Sequence, residues 1–175
     1  NTMKTSLSVI ILAAGKGTRM QSAKPKVLQT LAAKPLLTHV LDTCQTLNVG
    51  KTIVVYGFGG EQVQQAMTTY TLTWVEQIEQ LGTGHAVKVT LDELPQDGQS
   101  LILYGDVPLV SAQTLSRLQA ANTDGMSMLT LTVENPFGLG RIKRDSVGNI
   151  EAIVEQKDAS EAEQEIREIN SGIYC

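Results

Sequence analysis

The sequence predicts an α/β fold: a mostly parallel sheet with helices on both faces and an α+β region at one edge. Three observations predict it. Short, wholly apolar runs recur between longer amphipathic stretches, the rhythm of buried strands and the helices that cover them. Those runs are rich in Val, Ile and Leu and do not alternate with polar residues. After Asp124 the pattern changes to alternating segments separated by turns, as in antiparallel strands.

Each element has its own signal. Leu7–Leu12 reads as a buried strand ending before Gly15. Residues 35–47 read as a helix, with Pro35 suited to a first helical position and Leu36, Leu37, Val40, Leu41, Cys44 and Leu47 forming one stripe. Residues 52–56 form a second strand, and residues 61–69 a helix entered through Gly59 and Gly60. A short third strand over 73–77 is followed by a helix over 83–94, stopped by Pro95. Residues 100–104 make a fourth buried strand, and Ser111 caps a helix over Ala112–Ala121. Residues 128–134, 140–143 and 149–155 alternate like strands, with a hairpin loop over 145–148. Residues 168–174 end the edge region.

A chain of 175 residues reads as one domain, 1–175, without internal repeat or linker. At this length roughly 70% of the unfolded chain's surface can be buried. The net charge of −4 gives no basic excess for a polyanion, so nucleic acid is not an expected partner. No apolar run approaches the ~20 residues needed to span a bilayer, so no membrane association is expected. Cys44 and Cys175 do not make a disulfide framework, which suits a reducing, cytoplasmic location. Asn1 and Thr2 read as a remnant ahead of a natural start at Met3. The C-terminus falls inside an apolar segment and is read as incomplete, with apolar surface expected to be exposed around Ile173 and Tyr174.

In open sheets of this type ligands bind outside the carboxyl ends of the strands. The loop after the first strand runs Leu12-Ala13-Ala14-Gly15-Lys16-Gly17-Thr18-Arg19-Met20. Its small residues let backbone N–H groups approach phosphate oxygens. It lacks the third glycine of a dinucleotide fingerprint and the Gly-Lys-Ser/Thr of a Walker A loop. A bare Gly-x-Gly also serves as a tight strand-to-helix turn. Arg19 and Lys26 add a forked cation and a point charge behind the loop, although a lysine alone is often a solvated surface charge.

Asp106 follows Tyr104 and Gly105 at the end of the fourth strand. A carboxylate there can hold Mg2+ together with substrate phosphates, or serve as a turn residue before Pro108. Gln77 can read a base edge, since an amide both donates and accepts. Gly82 and Thr83 open a helix whose free N–H groups favour polar contacts, or are an ordinary helix start. His39 and His85 have no partner at metal-ligand spacing and read as structural. Gly140, Glu155 and Asn170 can line a pocket for hydroxyls and an amide. Each has a plainer reading too, as a turn glycine, an edge charge or a loop residue.

Together these segments resemble a family. Residues 12–20 with Pro25-Lys26-Val27-Leu28 resemble the signature of nucleotide-sugar pyrophosphorylases. The segments 79–86, 103–109, 138–142, 153–159 and 168–172 narrow the resemblance to the bacterial N-acetylglucosamine-1-phosphate uridyltransferases. The resemblance implies the Rossmann-like fold of the nucleotide-diphospho-sugar transferases. It implies a uridyltransferase domain ahead of a left-handed β-helix acetyltransferase domain, which this chain does not contain. It further implies a homotrimeric parent and a place in cell-wall peptidoglycan synthesis.

Position by position, the resemblance makes Leu12, Ala13, Ala14 and Gly15 the nucleotide loop. Gln77, Gly82 and Thr83 would read uracil, and Arg19 and Lys26 would contact the phosphates as catalytic residues. Asp106 would be a magnesium ligand, with a second ligand beyond position 175. Tyr104, Gly105, Gly140, Glu155 and Asn170 would surround the ribose and the N-acetylglucosamine. The implied substrates are UTP and N-acetylglucosamine 1-phosphate, and the implied products UDP-N-acetylglucosamine and pyrophosphate. The alternatives are a pyrophosphorylase for another sugar or nucleotide, a non-catalytic nucleotide-binding domain, and a glycosyltransferase. The last would be expected to pair two carboxylates where Asp106 is instead followed by Val107-Pro108.

Overall fold

A computed structural model describes residues 6–15, 23–57, 59–123 and 125–175. Strand β1 (Leu7–Leu12) is buried along its whole length, as its unbroken apolar run requires. A short hairpin, β2 (Thr30–Leu31) and β3 (Lys34–Pro35), leads into α1 (Leu36–Gln45). Pro35 sits one place earlier than predicted, closing the hairpin and flanking the helix rather than forming its first turn. Then come β4 (Lys51–Tyr56), α2 (Gly60–Ala66), β5 (Thr73–Glu76) and α3 (Thr83–Lys88). Strand β6 (Gln99–Tyr104) and α4 (Ala112–Ala121) complete the first half.

The helix predicted over 83–94 is two pieces: α3, then a 3-10 turn at Leu91–Glu93. The fully buried Thr90 donates its hydroxyl to the Val87 carbonyl at 2.7 Å, spending a backbone acceptor at the break. The cap on α4 is as predicted, with Ser111 Oγ accepting from the Thr114 N–H.

The second half adds β7 (Met128–Thr132), β8 (Arg141–Arg144), β9 (Ile150–Val154), α5 (Glu161–Gln164) and β10 (Glu168–Tyr174). Helix α5 was not predicted. Its signature is a capping box, in which Ser160 and Glu163 exchange hydrogen bonds at 2.9 and 3.2 Å.

Among the described residues the main sheet has the order β5-β4-β1-β6-β10-β8-β9, with β7 also paired to β10. The first four strands are parallel. Strand β10 joins β6 antiparallel and carries the rest, so the antiparallel region extends the parallel block at its β6 side.

The pleat sends alternate residues of β1 to opposite faces. Val9, Ile11 and Ala13 meet α1, α2 and α4, in a cluster with Leu37, Val40, Leu41, Val63, Met67 and Leu115. Ile10, Leu12 and Ala14 meet α3 through Ala86 and Val87. Helices therefore cover both faces, which is the predicted class.

The apolar surface expected around Ile173 and Tyr174 is not found. Ile173 is 2% exposed, Tyr174 is half-buried, and Cys175 pairs with Ser127 through two backbone hydrogen bonds. The end of β10 lies against β6 and β7 inside the sheet, so these side chains are core.

Candidate functional site

The carboxyl ends of β1, β5 and β6 come together. The Ala13 N–H donates to the Val55 carbonyl at 2.8 Å, and the Gly105 N–H donates to the Leu12 carbonyl at 2.9 Å. Leu12, Ala13 and Ala14 are buried, while Gly15 is exposed at the start of the loop. Arg19 and the rest of the glycine loop, 16–22, lie outside the described residues.

Past β5, Gln77 is 5% exposed, and its N–H donates to the Tyr56 carbonyl. Its side-chain Nε2 donates to the Gly82 carbonyl at 3.2 Å and meets His85 Nδ1 at 3.0 Å. Gly82 has φ +101, a backbone region that side chains rarely adopt, and its open conformation starts α3. Gln80 Nε2 donates to the Ala14 carbonyl at 2.6 Å, tying this segment to the end of β1. The sequence reading had not singled out Gln80, which lies inside the segment 79–86 that carried the resemblance.

Lys26 opens a 3-10 turn, Lys26–Leu28, whose Val27 and Leu28 are buried. Those two anchors place the ammonium at the end of β6, where Lys26 Nζ lies 2.7 Å from Asp106 Oδ2. The pair is open to solvent on the lysine side, with side chains 51% and 23% exposed. Gly105 packs closely here, and a Cβ on it would lie 3.0 Å from Val27 Cγ1. Asp106 is one accessible carboxylate, and no group of three or more His, Cys, Asp or Glu able to hold a metal occurs among the described residues. That donor set fits a hard cation completed by substrate oxygens and water, not a site built wholly from side chains.

The three residues expected around a sugar also meet. The Asn170 N–H donates to the Gly140 carbonyl at 2.9 Å, and a Cβ on Gly140 would lie 3.2 Å from Glu155 Oε1. Asn170 Oδ1 accepts from the Gly172 N–H at 2.9 Å, and its amide is also bonded to the Tyr174 hydroxyl. Tyr104 joins this group to the segment that holds Gln77, Gly82 and Thr83. Its hydroxyl lies 3.2 Å from Thr83 Oγ1, and its ring packs on Gly172, whose φ of +78 and lack of a side chain make room for it.

Next to Gly140, Arg141 is 2% exposed and acts as a staple that the sequence did not reveal. Its Nη1 donates to the Leu139 carbonyl and to Gln156 Oε1, each at 2.7 Å, and Nη2 donates to the Gln164 carbonyl at 3.3 Å. Gln156 Oε1 also accepts from the Gly138 N–H at 2.9 Å, so one guanidinium ties the loop before β8 to the residues after β9 and to α5.

A parallel α/β sheet with these groups at its strand ends has the Rossmann-like architecture of nucleotidyltransferases. The solved structures agree. A Bacillus anthracis protein provisionally named glucose-1-phosphate thymidylyltransferase superposes with a TM-score of 0.80 at 19% identity, over 97% of this chain and 70% of that one. HddC from Yersinia pseudotuberculosis, complexed with GMP-PN, superposes with a TM-score of 0.71 at 20% identity, over 95% and 75%.

The sequence is more specific. Residues 9–164 match the MobA-like NTP transferase domain, and the chain belongs to that family. It is 82% identical over 173 residues to the "Bifunctional protein GlmU" of Psychrobacter sp. strain PRwf-1, covering 99% of this chain and 38% of that protein. The protein of the same name from Acinetobacter baylyi is 61% identical over 169 residues, covering 96% and 37%. The chain spans about two fifths of the length of these curated relatives.

Proposed function

We propose that this chain is the part of a bifunctional enzyme that transfers a uridylyl group from UTP to N-acetylglucosamine 1-phosphate. The observation that carries the reading is the Lys26–Asp106 pair, at 2.7 Å, set at the end of β6 beside the backbone loop that follows β1. A cation beside a metal-competent carboxylate at the carboxyl ends of the strands supports binding of a nucleoside triphosphate, since ligands of such sheets bind there. The identity to proteins named as bifunctional supports the assignment to a bifunctional enzyme, and the motif segments that carry the resemblance support the substrates.

In the proposed reaction an oxygen of the sugar phosphate attacks the α-phosphorus of UTP. The bond from that phosphorus to the bridging oxygen breaks, and pyrophosphate leaves with the electron pair. The attacking phosphate is already anionic at neutral pH, so no general base is needed. The protein's work is positioning and charge neutralisation.

Lys26 is released from Asp106 to the phosphates as the substrate arrives, and Arg19 grips a second phosphate. The backbone from Leu12 to Gly15, exposed at Gly15, receives the nucleotide, with Gln77, Gly82 and Thr83 at the base. Tyr104 lies between base and sugar, with Gly140, Glu155 and Asn170 holding the hydroxyls and the acetamido group. Mg2+ on Asp106 would neutralise charge developing on the triphosphate.

Pyrophosphate release by the full-length protein tests this reading. UTP should be used in preference to CTP, GTP and dTTP, with N-acetylglucosamine 1-phosphate as acceptor. Asp106→Ala should lower kcat by roughly 10²–10³-fold, as for loss of a preorganised charge stabiliser. Near-normal turnover of that variant would remove Asp106 from the mechanism.

A further inference from the structure

The Gln77 amide is held in one of its two orientations, and His85 does part of the holding. Gln77 lies at 5% exposure with its Nε2 in contact with two groups, the Gly82 carbonyl at 3.2 Å and His85 Nδ1 at 3.0 Å. A carbonyl oxygen can only accept, so the nitrogen of the amide, not its oxygen, must face Gly82. The second N–H then points at His85 Nδ1, which must accept, leaving the imidazole proton on Nε2. Both amide protons are thereby spent inside the protein. Among the described residues no hydrogen bond to Oε1 is found, so the acceptor is the part of this side chain left for a ligand.

We propose that His85 is a positioning residue for base selection: with the Gly82 carbonyl it locks the Gln77 amide so that only Oε1 faces the base. This rests on the nucleotide reading above and deepens it. A fixed acceptor suits uracil, whose N3–H donates. It opposes cytosine, whose N3 is itself an acceptor and would leave two lone pairs facing each other. Rejection of this kind is stronger than the mere loss of a contact, because a buried polar group is left unpaired. An amide free to rotate would accept from uracil or donate to cytosine, so the discrimination comes from the lock and not from glutamine alone.

Gly82 serves twice, because its carbonyl also accepts the Ala86 N–H at 3.1 Å, the first bond of α3. The start of the helix and the orientation of the amide are therefore set by one backbone oxygen. His85 lies one turn along the same helix, within reach of the same nitrogen.

The test is calorimetric titration of the full-length protein with UTP and with CTP in magnesium buffer, comparing wild type, His85→Leu and His85→Asn. Leucine fills space without an acceptor, whereas the asparagine amide returns an acceptor near the Nδ1 position. The wild type should favour UTP by at least tenfold. His85→Leu should lose about tenfold of that ratio, chiefly through tighter CTP binding, as expected for one neutral hydrogen bond. His85→Asn should keep the ratio within about threefold of wild type.

If the variants weaken both nucleotides equally, His85 is only a packing residue and the proposal fails, while the nucleotide site stands. A wild type that binds neither nucleotide, or binds them equally, overturns the base reading itself and this proposal with it. Nitrogen NMR of the wild type gives an answer that does not depend on a variant folding. An Nε2–H tautomer at His85 is required, and an Nδ1–H tautomer would overturn the lock.

Discussion

The parallel block and the antiparallel region hold their halves of the site by different means. Around β1, β4 and β6 the strands are sealed by helices on both faces, and Val9, Ile10, Ile11, Ile53, Val54, Val55 and Leu101 are fully buried. The antiparallel region leaves Leu131, Phe137, Leu139, Val147, Ile150 and Ile153 exposed, and polar links tie it together. These are the Arg141 staple, the Arg144–Glu168 pair at 2.6 Å and the Lys143–Glu163 pair at 3.3 Å. Dispersion and burial hold together the end proposed for the nucleotide, whereas directional bonds shape the end proposed for the sugar. The two ends should therefore fail under different insults.

The largest effect is expected in the parallel block. Ile53→Ala removes a fully buried side chain between β1 and β5 and should cost about 2–5 kcal/mol in urea unfolding. A loss below 1 kcal/mol would mean that the block repacks more freely than its burial suggests.

Arg141→Leu should cost less, about 1–3 kcal/mol, because it leaves the Leu139 and Gln164 carbonyls unpaired while removing a buried charge. Its diagnostic is selectivity. The sugar-phosphate KM should rise several-fold while UTP affinity stays within about twofold. Equal damage to both ligands would erase the distinction between the two ends.

Acid provides the mildest probe. Arg144 first, and Thr130 as well, hold the Glu168 carboxyl below its ordinary value, against the opposing effect of burial. The Ser160 backbone N–H and then Lys143 do the same for Glu163, and bonds from Asn149 do so for Asp145. These carboxylates are depressed in the folded state. Their stabilisation is therefore complete above the usual carboxylate range, near pH ~4, and fades as pH falls through the lowered values. Asp42, lowered first by Lys34 and then by Tyr70, is a counterpart on α1. Hydrogen exchange at pH ~3 should rise in β8 and β9 before it rises in β1 and β4. Simultaneous opening would show one cooperative unit instead.

The same contrast explains what could be read from the sequence. Leu7–Leu12 and Ala112–Ala121 match their predicted limits, since an unbroken apolar run and a serine cap are local signals. The break after Lys88 was missed because it depends on the buried Thr90 hydroxyl, which competes with the helix only in tertiary context. The position of β10 inside the sheet, beside β6, was also hidden, because period-2 alternation marks a strand but not its partners.

At the site, the residues expected at the nucleotide and the sugar fall into two connected groups joined by Tyr104. Arg19 lies outside the described residues. His85, read as structural, touches Gln77, a contact that neither residue's spacing announces. Arg141 lies in the segment 138–142 that carried the resemblance, and only the fold shows that the loops around it close over the guanidinium.

The central claim is that the carboxyl ends of β1, β5 and β6 form a nucleotide site that reads uracil. Calorimetric titration with UTP in the presence of Mg2+, for the wild type and for Gln77→Ala, tests it most directly. Saturable one-to-one binding, weakened at least tenfold by the substitution, is the predicted result. A protein that is folded by circular dichroism yet binds UTP with equal affinity with and without Gln77, or not at all, would contradict it.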